Sequence, residues 1–338
     1  MANFPAAVDC DRPIWDMWLS MHQLPAITVL DDVGLFTALD GMALPHDELA
    51  RQLQVNARSL DIILGLVAAM GFVEKRLGKW TATPVARAYL STKSRYYWGG
   101  LFSRFKNNPL HAKLLEKLRT PEDGNFEAGF KGWVSGELSQ EVADSSAAVM
   151  HAHSAVAASA VAAVTDFGKI RRLLDVGGGS GVYCMAMAAA WPQLKADVMD
   201  LAAMCTAAQR YIRADGMDER VGTVVCDMFR NEWPTGYDAL FFSNVFHDWD
   251  EATNRTLSRK AYGALPSGGA IYLHEMLMND NGDGPLTTAS FAILMLSGAA
   301  GRQYTLAQLA EFLESTGFVD VRSVPTCSYY SLVSARKP

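Results

Sequence analysis

Three features in the second half of this chain have residue types and spacings suited to chemistry on a bound small molecule. The first is LLDVGGGSGVYCMAMAAAWP, Leu173 to Pro192, an apolar run of strand length followed by a glycine-rich turn and a helix-forming run. Gly177, Gly179 and Gly181 let the backbone approach a ligand closely at the carboxyl end of a first strand, where open α/β sheets bind ligands. A dinucleotide fingerprint wants glycine at the sixth position counted from Gly177, and Val182 stands there. No Lys-Ser or Lys-Thr pair follows, so the turn is not a P-loop for triphosphates. The second feature is Asp200, nineteen positions after Gly181 at the end of the next apolar run, where a carboxylate suits a bidentate bond to a ribose diol. The third is the stretch from Phe241 to Glu275, which puts His247 after one apolar run and Glu275, twenty-eight positions on, at the end of the next. A histidine after an apolar strand usually packs or caps. The glycine turn upstream and the carboxylate downstream make this one a candidate base.

These residues need a scaffold that brings strand ends together. From Arg171 onward RLLDVG, ADVMDL, VGTVVCD, YDALFFSNV and GAIYLHE alternate with helical runs, which predicts a doubly wound, Rossmann-like sheet with helices on both faces. From Ile14 to about Leu90 apolar residues recur at three and four, predicting three helices and then a short hairpin turning at Leu77-Gly78-Lys79. Helices followed by such a hairpin read as a winged-helix domain over 1–95, otherwise all-helical. Residues 96–165, with the Ala-rich SSAAVMHAHSAVAASAVAAV, read as a helical connector, and 166–338 as the catalytic domain.

The motifs resemble the class I S-adenosylmethionine-dependent O-methyltransferases, the family that includes plant caffeate and isoflavone enzymes, hydroxyindole-type enzymes and bacterial natural-product enzymes. DVGGGSG, from Asp175 to Gly181, resembles the cofactor loop, Asp200 with Leu201 the ribose ligand, and CDMF the adenine segment formed by Asp227, Met228 and Phe229, with Ser243 completing the cofactor set. Cys226 departs from the glycine usual there. The resemblance makes His247 of the HDW motif the general base and Glu275 the carboxylate that orients it. An acceptor phenol with a pKa of about 10 needs such a base at neutral pH, and an imidazole of about 6.5 suits the task. The second orienting carboxylate lies in a GRERT-like stretch, and here AGRQYT has Gln303, which can accept a hydrogen bond but supplies no charge. Met295 matches the substrate-clamping methionine, with Phe291, Met150 and Trp249 as further pocket residues. Asp248 and Asp250 precede a helix and read as caps. His151 and His153 lie two apart on a helix and make a poor metal pair, so no metal is expected.

Composition narrows the partners. A net charge of −6 without clustered Lys and Arg argues against nucleic acid. Five scattered cysteines suggest neither a zinc site nor disulfides, and no apolar run approaches bilayer-spanning length, so a cytoplasmic enzyme with no membrane partner is expected. The reading is transfer of a methyl group from S-adenosylmethionine, leaving S-adenosylhomocysteine, to a hydroxyl of a small aromatic molecule. The resemblance implies a homodimer through the N-terminal domain, and its apolar helices suggest one independently. Alternatives left open are a non-methylating reaction on the same scaffold, a nitrogen or sulfur acceptor, and a transcription regulator with a metabolite-sensing domain.

Overall fold

The structure, a computed structural model, describes residues 10–120 and 128–338. They form two compact units. One comprises residues 10–12, Ala128–Leu277 and Leu306–Pro338, and the other residues 13–120 and Met278–Thr305.

The larger unit is built on a mixed seven-stranded sheet. Numbering strands along the chain, β1 (Ala43–Pro45), β2 (Val73–Arg76) and β3 (Lys79–Ala82) belong to the other unit. The sheet contains β4 (Arg172–Val176), β5 (Lys195–Asp200), β6 (Val221–Val225), β7 (Ala239–Ser243), β8 (Ala270–Met276), β9 (Val319–Pro325) and β10 (Tyr330–Arg336). Their order is β6-β5-β4-β7-β8-β10-β9, parallel except where β10 runs against both β8 and β9. β4 and β7 are near-continuous apolar runs because both sheet faces are covered. The chain winds one way from β4 to β6 and the other way from β7 to β8. That reversal opens a crevice at the carboxyl ends, where Gly177, Asp200, Asn244 and Glu275 emerge. The β9–β10 hairpin went unpredicted, although VDVRSVP alternates half-buried and exposed residues as an edge strand does.

The helix Gln140–Val164 overturns one sequence expectation, since it is long and apolar enough by length and composition to cross a bilayer. Its apolarity is largely alanine, and small side chains let it lie close along the helices Val182–Ala190 and Ala202–Ala214, with Ala147, Ala157, Ala158 and Val161 buried.

The smaller unit is helical with a three-stranded antiparallel sheet, β1-β3-β2. The β2–β3 turn falls at Leu77 and Gly78, both at positive φ. The first helical stretch is broken, running as Arg12–Leu19, a 3-10 turn at Ser20–His22, Gln23–Asp32 and Leu35–Ala38. Gly34, at φ 76°, separates the last two pieces. Ala57–Ala69 begins where Asn56 accepts from the Ser59 N–H. Leu30, Leu35, Phe36, Leu49, Ile63 and Leu66 fill the core together with Ala289, Ala292, Ile293 and Leu296 of the helix Leu286–Gly298. Each large side chain buried there contributes roughly 1.5–3 kcal/mol of transfer free energy.

Candidate active site

The glycine turn is left-handed at Gly177 (φ 70°), Gly179 (55°) and Gly181 (77°). A side chain at Gly179 would strain the backbone and bring a Cβ to 3.1 Å from Met150 Sδ; at Gly181 it would meet Val198 Cγ2 at 3.0 Å. The turn therefore admits glycine only, and it leaves a cradle beside a buried carboxylate. Asp200 Oδ2 accepts from the Gly179 N–H at 3.1 Å and Oδ1 from the Leu201 N–H at 2.8 Å. Burial nevertheless pushes Asp200 up to about 6, and the two N–H bonds only partly offset that. Burial pushes Asp175 to about 7, with the Cys184 thiol 3.5 Å away as a weak donor. A carboxylate this poorly solvated gains from hydroxyl donors such as a ribose diol, so these residues fit a nucleoside-bearing cofactor.

The segment expected to hold adenine is arranged less simply. Asp227 Oδ1 accepts from the N–H groups of Phe229 and Arg230, and Oδ2 pairs with Arg230 Nη1 at 2.6 Å. Both oxygens thus hold the turn after β6. Phe229 meets Trp249 edge-on at 4.6 Å, and the Met228 carbonyl accepts from Trp233. Ser243 Oγ lies 3.2 Å from His274 Nδ1.

His247 sits in the 3-10 turn Phe246–Asp248 and is buried. Its Nδ1 is 3.2 Å from Glu275 Oε2, an ion-pair contact, while Oε1 of the same carboxylate accepts from the N–H groups of Val245 and Phe246 at 3.1 and 3.0 Å. One carboxylate thus grips both the ring and the backbone that carries it. On the other side of the ring, Asp248 Oδ1 is 3.4 Å from Nε2. Asp250 is the cap expected from the sequence, accepting from the Thr253 N–H. Asp248 corrects the same expectation, because its carboxyl turns back to the imidazole. Desolvation drives it up to about 7, the neighbouring imidazole pulling down and Glu275 pushing up. The arrangement can take a proton on a ring flanked by two carboxyls.

Comparison with known proteins bears on this geometry. Residues 119–319 match the model of the O-methyltransferase domain family. The chain belongs to that family. It is 32% identical to the 3-hydroxy-5-methyl-1-naphthoate 3-O-methyltransferase of Streptomyces sahachiroi over 91% of this chain and 90% of that one. It is 26% identical to the tetracenomycin polyketide synthesis 8-O-methyl transferase of Streptomyces glaucescens over 96% of each. A family 2 O-methyltransferase from Planctomyces limnophilus, solved in complex with apigenin, superposes with a TM-score of 0.91 at 25% identity, covering 100% of this chain and 99% of that one. The chain is an S-adenosylmethionine-dependent O-methyltransferase.

The predicted site residues divide between the units. The glycine turn, Asp175, Asp200, Leu201, Asp227, Met228, Phe229, Ser243, His247, Trp249, Glu275 and Met150 lie in the larger one. Phe291, Met295 and Gln303 lie in the smaller one, all buried. There Phe291 packs at 5.8 Å from Trp15 and 6.4 Å from Trp18, and with Met295 it stands on the helix face away from the core residues Ala289, Ala292, Ile293 and Leu296.

Sequence reasoning undervalued the helix over the glycine turn. Beside Met150, His151 Nδ1 is 3.3 Å from Ser180 Oγ with its ring stacked on Tyr211 at 4.4 Å. His153 bonds Ser154 through Nδ1 and feels the charge of His247. Burial, with that charge, lowers His153 to about 4, so it is neutral near pH 7. These partners lie far apart along the chain, and no local pattern announces them.

Proposed function

We propose that His247 Nε2 takes the proton from a hydroxyl of a small aromatic acceptor as the methyl group is transferred. The observation that carries this is the imidazole held at Nδ1 by Glu275 in the unit that also carries the glycine turn and Asp200. A proton kept on Nδ1 by that carboxylate leaves the Nε2 lone pair for the acceptor. S-adenosylmethionine, held by Asp200 and the glycine turn, supplies the electrophilic methyl. Once protonated, the ring is stabilised electrostatically by Glu275 at Nδ1. Asp227, Met228, Phe229 and Ser243 are assigned to the adenosine side, and Met150 and Trp249, in the same unit, to the side of a flat, apolar acceptor. The full-length relatives named above act, by their names, on fused-ring aromatic compounds. A hydroxylated naphthoate or polyketide aromatic is accordingly the acceptor class to try first.

The test is calorimetric titration with S-adenosylmethionine, then mass analysis of hydroxylated naphthoates and polyketide aromatics incubated with enzyme and cofactor. Binding together with a gain of one methyl group on an acceptor oxygen is expected. Binding without methylated product across the panel would refute the transfer reading.

The same reading assigns the smaller unit to winged-helix dimerisation. Ile14, Met17, Trp18, Met21 and Leu24 form an exposed apolar stripe at helical spacing, with Met17 67% and Ile14 63% exposed. A contiguous patch of this kind marks an interface, here with a second copy. Met17→Glu combined with Met21→Glu places charges in it and is expected to give a monomer in sedimentation velocity where the parent is a dimer. A parent that already sediments as a monomer overturns the assignment.

A further inference from the structure

We infer that a tether between Tyr330 and Asn244 aims His247, so that Tyr330, at the start of β10, is a positioning residue for the base. The inference rests on the reading of His247 as the base.

The chain leaves β7 at Ser243 and enters the 3-10 turn at Phe246, with only Asn244 and Val245 between. Asn244 makes that corner with φ at 55°, in the left-handed region that side chains other than glycine adopt at a cost; asparagine is among the few that enter it singly. Two bonds hold it there. Its N–H donates to the His274 carbonyl at 3.2 Å, and its amide Nδ2 donates to Tyr330 Oη at 3.0 Å. The next two N–H groups then fall on Glu275 Oε1, and the following side chain is His247, whose Nδ1 reaches Glu275 Oε2. The corner, the carboxylate and the ring form one chain of contacts, and the corner is its strained member.

The far end of the tether is rigid. Tyr330 is buried, stands opposite Met276 in the β8–β10 register, and stacks on His274 at 4.7 Å with the rings 12° apart. His274 is itself fixed: Nε2 lies 2.9 Å from Thr326 Oγ1, and Nδ1 lies 3.2 Å from both Ser243 Oγ and Tyr183 Oη. Burial lowers it to about 3, so it stays neutral through the working range and the stack does not titrate. The Tyr330 hydroxyl is therefore a fixed point on the antiparallel edge hairpin, and Asn244 is pinned to it. Without the tether, Asn244 relaxes toward ordinary φ, the N–H groups of Val245 and Phe246 turn away from Oε1, and the imidazole loses its fixed distance to Oε2. Displacements of about 1 Å in a reacting group cost on the order of 100-fold in rate.

Tyr330→Phe keeps the ring stacked on His274 and removes only the hydroxyl. It is expected to lower kcat about tenfold or more, to leave cofactor affinity and the midpoint of thermal unfolding near the parent values, and to move the acid limb of the kcat–pH profile to lower pH. The sign follows because an imidazolium less well held by Glu275 loses its proton more readily. The charged or titratable groups recorded against that ring among the described residues include Glu275, Asp248 and His153, and none is altered. Asn244→Ala lacks the amide and keeps the cost of the left-handed corner, so it is expected to match Tyr330→Phe, and the double variant to be no worse than either. Parent kcat and pH profile in Tyr330→Phe, or full activity in Asn244→Ala, would overturn the tether. His247→Ala run alongside separates the two claims. Turnover retained in that variant overturns the base reading underneath, whereas turnover lost there but kept in Tyr330→Phe overturns the tether alone.

Discussion

His247→Ala lowers kcat by about 100- to 10,000-fold, the range for loss of a positioned general base, while S-adenosylmethionine binds as tightly as before. The separation is expected because, in the proposed function, the imidazole acts on the acceptor, whereas the glycine turn and Asp200 hold the cofactor. Glu275→Gln is expected to be milder. An amide oxygen can still accept from the Val245 and Phe246 N–H groups and keep the turn in place, but it removes the charge opposite Nδ1. Single-turnover rates with a methylated acceptor product, set beside calorimetric affinities, check both variants. Equal loss of turnover and cofactor affinity in His247→Ala would mean that the residue supports the cofactor site and is not the base.

Asp200→Ala weakens S-adenosylmethionine binding by about 2–3 kcal/mol, roughly 30- to 150-fold, the worth of a charge-assisted pair of hydrogen bonds. The effect carries a pH signature. Burial raises Asp200 from the usual 3.8 to about 6, so the folded protein favours the protonated form. In the free protein this group's contribution to stability therefore falls as pH rises between about 4 and 6. Ribose hydroxyls donate to the ionised form, so cofactor affinity runs the other way. It is expected to be flat above about 6 and to fall about tenfold for each pH unit below it. Asp200→Ala should abolish that step. Titrations at a series of pH values check this, and a step that persists unchanged in the variant would place the titrating group elsewhere, with Asp175 the first to test.

The parallel part of the fold was legible because buried parallel strands are continuous apolar runs, and all five predicted runs became strands of one sheet. The β9–β10 hairpin was missed since β9, its alternating, half-exposed edge strand, carries a weaker signal. In the smaller unit, periodicity showed that residues 14–38 were helical but not that the path breaks at Ser20–His22 and Gly34, or that β1 adds a third strand to the hairpin. Asp248 was misread because a carboxylate just ahead of a helix has the same local sequence whether it caps or turns back.

What the sequence determined by itself was the family, the glycine turn and the candidate base. Those depend on short-range requirements: glycine where φ must be positive, a carboxylate at a strand end, a histidine one turn beyond another. The tertiary structure alone decided how the groups around that base are arranged, and brought in ones that the sequence did not single out for it. Glu275 grips ring and backbone together, Asp248 faces Nε2, and Tyr330 holds the corner at Asn244 from 86 residues away. Such contacts depend on where β8 and β10 lie beside β7, and the order of strands in a sheet is set by long-range packing that no local pattern encodes.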